Sequence, residues 1–246
     1  MAYFDCFYQS EKLNRKNAFR VVIPEDVSVR IAPVVYLLHG LDGTYLSWFD
    51  NTDLEGAARR SGCIVVLPDA GNSFYTGAYL EMIVSELVPY VEKTFNLSGP
   101  RHIAGVSMGG HGAYKIAFLN RNLFETAGSF SGVLDLNAPI NDAIDKRARS
   151  CMEAVFGENF NLKGTNEDLF HLVYKAKPMK MYQFCGKEDF LYNVNLSFKR
   201  HANIAKMDVD YFEAEGDHTW PTWARQIDHY LNWVKERQLW YSRKSN

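Results

Sequence analysis

The sequence has little that would staple it together or carry it into a membrane. Its four cysteines, Cys6, Cys63, Cys151 and Cys185, are widely scattered, with no C-x-x-C spacing. That pattern excludes a disulfide framework and offers no zinc or redox motif. Cys63 opens the apolar run Cys63–Leu67 and Cys185 closes another, as buried thiols do. No apolar run approaches the ~18 residues that a spanning helix requires. The opening Met1-Ala2-Tyr3-Phe4-Asp5 lacks the basic and apolar regions of a secretory signal, so a cytoplasmic location is the expectation. Charge of one sign is also missing. With 27 Lys and Arg against 29 Asp and Glu, the net charge is −2, which leaves no electrostatic footprint for nucleic acid.

What is present is an ordinary globular composition, 47% hydrophobic over 246 residues. That length suits one α/β domain spanning 1–246, able to bury about three quarters of its unfolded surface. Strand-like runs alternate with helical ones, the pattern of a mostly parallel central sheet flanked by helices. Tyr3–Gln9 and Ala18–Ile23 flank a polar stretch and read as an antiparallel pair. Val34–Leu38 and Cys63–Leu67 are short, β-branched runs suited to burial on both faces. Arg101–Val106, Glu125–Phe130, Met179–Cys185 and Val209–Ala214 follow as later strands. Helices are expected over Asp53–Arg60, Ala78–Phe95, Ser107–Leu119, Asn193–Ala205 and Trp220–Lys235. Pro89 interrupts the second of these and predicts a kink or break there. The stretch from about 134 to 177 breaks the alternation. It holds helical material (Asp142–Val155) and reads as a partly helical insertion over one end of the sheet.

Gly105-Val106-Ser107-Met108-Gly109 matches G-x-S-x-G, and its context adds the specificity that the pentapeptide lacks. A strand-like run precedes it and a helix-forming run follows, the strand–turn–helix that lifts a nucleophilic serine off the end of a sheet. Acyl transfer also needs aimed N–H donors for the negative charge that builds on the carbonyl oxygen. One is the N–H of the residue after the nucleophile, Met108. The other belongs to the turn after an earlier strand, where Val34–Leu38 runs into His39-Gly40-Leu41, which points to Leu41. His39-Gly40 reads equally well as a plain turn, with His39 ordering the loop rather than acting as base.

The chain order for this chemistry is serine, acid, histidine. His201 and His229 fall in helical patterns, and His171 falls in the insertion. His218 follows a strand in the loop Glu215-Gly216-Asp217-His218, at the same sheet end as Ser107. The strand before it runs into Gly186-Lys187-Glu188-Asp189, which makes Asp189 the acid, with Glu188 in reserve. Asp217, adjacent to His218, reads as a cap for the last helix.

Taken together, Leu37-Leu38-His39-Gly40, Ser47-Trp48, Gly105-Val106-Ser107-Met108-Gly109-Gly110-His111-Gly112-Ala113, Cys185-Gly186-Lys187-Glu188-Asp189-Phe190-Leu191 and Gly216-Asp217-His218 resemble the esterase D-like family of α/β-hydrolases. Within it the likeness is greatest to bacterial tributyrin or acetyl esterases, and it runs from about Val34 to Trp233. The resemblance implies an α/β-hydrolase fold and hydrolysis of short-chain acyl esters with no metal or organic cofactor. It implies the triad Ser107, Asp189 and His218, with Leu41 and Met108 as oxyanion donors. The expected partner is a small-molecule ester, acetyl to butyryl, with acetylated or feruloylated carbohydrate among the candidates. Neither nucleic acid nor membrane is expected as a partner, and self-association into a homo-oligomer stays open. Aromatics fall near the same loops, and Trp48, Tyr75 and Trp220 are the ones singled out as substrate contacts. Two other readings stand beside this one: a thioesterase of the S-formylglutathione hydrolase type, and an inactive hydrolase fold used as a binding module.

Overall fold

The computed structural model describes residues 1–138 and 146–244, with side chains through residue 237. Eight strands form one sheet in the order β1-β2-β4-β3-β5-β6-β7-β8. β1 (Ala2–Ser10) and β2 (Arg15–Ile23) make an antiparallel hairpin, and β2 lies antiparallel to β4 (Ile64–Pro68). From there to the far edge every pairing is parallel, through β3 (Val34–Leu38), β5 (Arg101–Val106), β6 (Thr126–Phe130), β7 (Lys180–Gly186) and β8 (Asp208–Ala214). The unbroken apolar runs of β3 and β4 follow from this position, since both of their faces are covered. Val34, Tyr36 and Leu38 enter one core layer, and Val35 and Leu37 enter the other.

The second layer is closed by α1 (Ser47–Asn51), α2 (Leu54–Ser61) and the long α9 (Trp220–Lys244), through Trp48, Leu54, Ala57, Trp223, Ile227, Tyr230 and Leu231. Asp53 caps α2, its carboxylate accepting from Gly56 N–H at 3.1 Å. The first layer is closed by α5 (Met108–Leu119), α7 (Leu169–Lys175), α8 (Tyr192–Ile204) and the 78–95 segment.

In that 78–95 segment the kink or break expected at Pro89 takes the form of a change of winding just before it. The segment runs as α3 (Ala78–Glu81), six residues of π winding over Met82–Leu87, and α4 (Val88–Phe95). Proline has no N–H to give to the carbonyl four residues back. The wider winding takes up the mismatch one turn earlier, where Val88 N–H reaches Ile83 O. Pro89 then sits in the first turn of α4, where a missing N–H costs nothing.

The 134–177 segment joins β6 to β7. Of the helix expected over Asp142–Val155, residues 142–145 lie outside those described, and the remainder belongs to α6 (Lys146–Phe156). α7, not expected from the sequence, makes the segment more than an insertion, because it lies on the α5 and α8 side as part of the crossover between parallel strands. Its start was written in Asp168, whose carboxylate accepts from His171 N–H at 3.1 Å.

A buried ion pair anchors this segment. Lys115 on α5 is fully buried and its Nζ donates to Glu167 at 2.5 Å and to Phe74 O at 3.0 Å. Thr76 also donates to Glu167, and His111 Nε2 stands 3.7 Å away, beyond hydrogen-bond range. Burial alone would raise the Glu167 carboxyl, but His111, Lys115 and Thr76 outweigh it and hold it at about 2. Burial pushes the Lys115 ammonium down, with Glu167 opposing. Breaking such a pair strands a charge in the interior. Glu167→Gln is therefore expected to cost about 3 kcal/mol or more, lowering Tm by roughly 6–12 °C. A carboxyl depressed by folding stabilises above its ordinary value of 4.5 and stops doing so as pH falls toward about 2. Urea denaturation of the wild type should accordingly show stability lost across that acid window, and the Gln variant should show a shallower loss. Among the described residues, no helix is long and apolar enough to cross a membrane.

Candidate active site

Ser107 stands between β5 and α5 with φ 54° and ψ −115°. A non-glycine residue pays roughly 1–3 kcal/mol for such a conformation and keeps it only where the surroundings enforce it. Here Ser107 N–H donates to Phe130 O at 2.9 Å, and Ser107 O accepts from Gly110, His111 and Val133 N–H at 3.0–3.2 Å. The turn is too tight for side chains. A Cβ on Gly105 would lie 2.4 Å from the Gly109 backbone, and one on Gly109 would lie 2.6 Å from His39 O. The serine hydroxyl is thereby held at the carboxyl end of the sheet, at the positive end of α5.

The loops after β7 and β8 meet it there. His218 Nε2 is 3.0 Å from Ser107 Oγ, and its Nδ1 is 2.8 and 3.1 Å from the two carboxylate oxygens of Asp189. A carboxylate can only accept, so Nδ1 carries the proton and Nε2 is left to accept from the serine hydroxyl. The Asp189 side chain is fully buried and also accepts from Leu191 N–H at 2.8 Å, which fixes its plane. Phe190 and Trp223 pack on the imidazole at centroid distances of 4.6 and 4.9 Å.

The reserve acid is engaged elsewhere. Gly216 N–H donates to the Glu188 carboxylate, and Glu188 N–H donates to Gly216 O at 3.1 Å, so Glu188 braces the loop that carries His218. Asp217 accepts from the Thr219 hydroxyl at 2.5 Å and does not cap the last helix, whose first turn bonds to Thr219 O. His102 is buried against Thr126, and burial pushes it down to about 3.

The turn after β3 lies directly against Ser107: a Cβ on Gly40 would meet Ser107 Cβ at 3.4 Å. The N–H groups of Leu41 and Met108 donate to no protein acceptor among the described residues. His39 is buried and orders this turn. Its Nε2 accepts from Ala70 N–H at 3.0 Å, so the proton sits on Nδ1 and is donated to Gly40 O at 2.7 Å. Burial keeps the ring below its ordinary pKa, in the neutral form this arrangement needs.

Two of the three aromatics expected to touch substrate are corrected by their burial. Trp48 is 1% exposed and donates through Nε1 to Leu38 O at 2.9 Å. Tyr75 is 0% exposed and donates through its hydroxyl to His39 O at 3.0 Å. Neither has surface to offer, and both instead fix the end of β3 behind the turn. Trp220 is half-buried beside Trp48 and Trp223. Phe190, not one of the three singled out from the sequence, is 45% exposed and packs against His218. Its position directly after Asp189 was the available signal. Among the described residues, no group of three or more His, Cys, Asp or Glu is placed to hold a metal ion.

Residues 10–234 match the family model "Esterase", described as "Putative esterase". The acetyl esterase of Caldicellulosiruptor saccharolyticus is 27% identical over 96% of this chain and 99% of its own length. Among solved structures, the Staphylococcus aureus fluorophosphonate-binding serine hydrolase FphF superposes with a TM-score of 0.84 at 27% identity, covering 95% of this chain and 98% of that one. The S-formylglutathione hydrolase FrmB of the same organism gives 0.83 at 28%, with the same coverage. The fold is that of the α/β-hydrolases, and the chain belongs to the esterase family as a serine carboxylesterase.

Proposed function

We propose that Ser107, His218 and Asp189 are the catalytic triad, and that the whole chain works as one hydrolase domain on short acyl esters, acetyl to butyryl. The observation that carries this is the hydrogen-bonded relay from Ser107 Oγ through His218 to Asp189, at 3.0 and 2.8 Å, on a strand–turn–helix. Ser107 Oγ attacks the ester carbonyl while His218 Nε2 takes its proton, and Asp189 stabilises the imidazolium that forms. The Leu41 and Met108 N–H groups bind the oxyanion. The tetrahedral adduct collapses to an acyl-enzyme, and the alcohol leaves with the proton from His218. Water, deprotonated by the same imidazole, then releases the acid and restores the serine. Phe190 and Trp220 are the aromatic surfaces offered to the substrate. The four cysteines are all free thiols, which supports a reducing, cytoplasmic compartment.

The length limit rests on where the apolar residues of the 134–177 segment go. Leu162, Leu169 and Leu172 are buried in the first core layer, and Phe156, Phe160 and Phe170 pack against it. Packed into or against the core, these six side chains are not free to roof an acyl tunnel. A tunnel would add roughly 0.8 kcal/mol for each methylene it covers, so kcat/KM would climb with chain length. The expected profile on p-nitrophenyl esters instead peaks at or below about four acyl carbons. A maximum at octanoate or longer would overturn this reading. The likeness to FrmB supports a second reading, a thioesterase of the S-formylglutathione type. Initial rates on S-formylglutathione beside p-nitrophenyl acetate and acetylated xylan separate the two.

A further inference from the structure

The turn that presents Leu41 is closed by Gly43 N–H donating to Gly40 O at 3.1 Å, with Leu41 and Asp42 at its centre. Asp42 has φ 57°, a conformation that favours glycine or asparagine at the third position of such a turn. It is held there from two directions. Asp42 N–H donates to Asn72 Oδ1 at 2.7 Å, and Asn72 Nδ2 donates back to Asp42 Oδ1 at 2.8 Å, which ties the turn to the loop after β4. From the other side Arg147, on α6, grips the same carboxylate with Nε at 2.9 Å and Nη2 at 2.5 Å. Arg147 and Asn72 together hold the Asp42 carboxyl at about 2. Asn72 also donates to Cys151 Sγ on α6 at 3.6 Å, so all three elements meet at one point.

This contact differs in kind from the Lys115–Glu167 anchor. Lys115 is fully buried, whereas the Arg147 and Asp42 side chains are 68% and 47% exposed. A buried pair is screened little by salt, and an exposed pair is weak and readily screened. The 134–177 segment is thus fastened to the fold by its buried apolar residues and the Lys115–Glu167 pair, and touches the catalytic turn through a contact that dissolved ions can loosen.

Building on the triad reading above, we propose that Asp42 is a positioning residue that couples α6 to the oxyanion hole. Bonded to Asn72 and Arg147, it fixes the Leu41–Asp42 peptide, and through the turn closed from Gly40 to Gly43 it restrains the preceding Gly40–Leu41 peptide, which carries the Leu41 N–H. It acts through Leu41 and touches no reacting atom. Its effect therefore falls on the transition state, where the oxyanion exists, and leaves ground-state binding alone.

Asp42→Asn isolates the charge, because asparagine suits the backbone of the turn and can still accept from Asn72. Arg147→Met tests the same pair from an exposed position with no strained backbone. On p-nitrophenyl acetate each is expected to lower kcat by about threefold to fivefold with KM unchanged, the scale of an exposed ion pair. Asn72→Ala leaves the Arg147 ion pair and removes the reciprocal pair of hydrogen bonds, including the one to the turn's own backbone, and about tenfold is expected. Phenylboronic acid, whose tetrahedral adduct on Ser107 places an oxygen in the hole, should lose affinity by the same factors. Raising NaCl from about 0.05 to about 1 M should lower wild-type kcat by the factor seen in Asp42→Asn and leave both charge variants unchanged. Variants with wild-type kcat and boronate affinity would overturn the coupling while an active, fluorophosphonate-labelled wild type kept the triad reading. A raised KM at constant kcat would overturn it too, making Asp42 a wall of the substrate site. A wild type that neither turns over nor labels would overturn both.

Discussion

Ser107→Ala is expected to remove ester turnover by about 10⁴-fold or more while the protein stays folded. The oxygen lost is the only atom placed to carry the acyl group, since His218 Nε2 has no other hydroxyl at hydrogen-bond distance among the described residues. The backbone that holds position 107 does not depend on the hydroxyl. It is fixed by Phe130 O, by the N–H groups that converge on Ser107 O, and by the Gly105–Gly109 approach. Alanine inherits the same positive φ and the same bonds, so the thermal transition should move little. Activity on p-nitrophenyl acetate and labelling by a fluorophosphonate should vanish together. A purified variant retaining a tenth of wild-type turnover would show that another group carries the acyl.

Asp189→Asn comes next in size, with kcat expected to fall by about 10³–10⁴-fold at nearly constant KM. The asparagine oxygen can still accept from Leu191 N–H, so the local chain is preserved. Its amide group then faces His218 Nδ1 as a donor and drives the imidazole proton onto Nε2, which can then only donate to the serine oxygen and cannot accept its proton. Glu188→Gln makes the sharper comparison. Glutamine keeps an oxygen for Gly216 N–H, so the loop brace survives and kcat should change by no more than about threefold, the scale of one partly exposed hydrogen bond. Steady-state kinetics on one short ester decide the ranking, and the reverse order would hand the acid role to Glu188.

The pieces legible in the sequence were those set by local rules. Val34–Leu38 matched its strand to the residue because a strand covered on both faces is an uninterrupted apolar run, and Arg101–Val106 matched because the tight Gly105–Gly109 turn marks where it ends. Ser107, Asp189 and His218 were legible as loop positions after particular strands, since a parallel sheet brings such loops to one end. Depth was not legible. Trp48 and Tyr75 look like any aromatics near a mouth, and only the packing around β3 shows them facing inward. α1 and α7 escaped for a related reason: five and seven residues are too few for a helical period to show. The π winding before Pro89 is a compromise between a missing donor and a buried face, and no single position encodes it.

The sheet order also bears on how the protein is made. β8, at the far edge, and α9 leave the ribosome after the other elements of the sheet and its covers, and they bring His218 and much of the cover for one face. Until α9 docks, Val35, Leu37, Val65, Leu67 and Phe130 have Trp48, Leu54 and Ala57 on one flank but lack Trp223, Ile227, Tyr230 and Leu231 above them. A nascent chain that has completed β5, Ser107 and α5 is therefore catalytically silent and exposes an adhesive apolar surface during synthesis. Vectorial folding cannot proceed to activity piece by piece here. The pairing of His218 with Ser107 and the shielding of that apolar face thus fall in one late step, when α9 closes over the sheet.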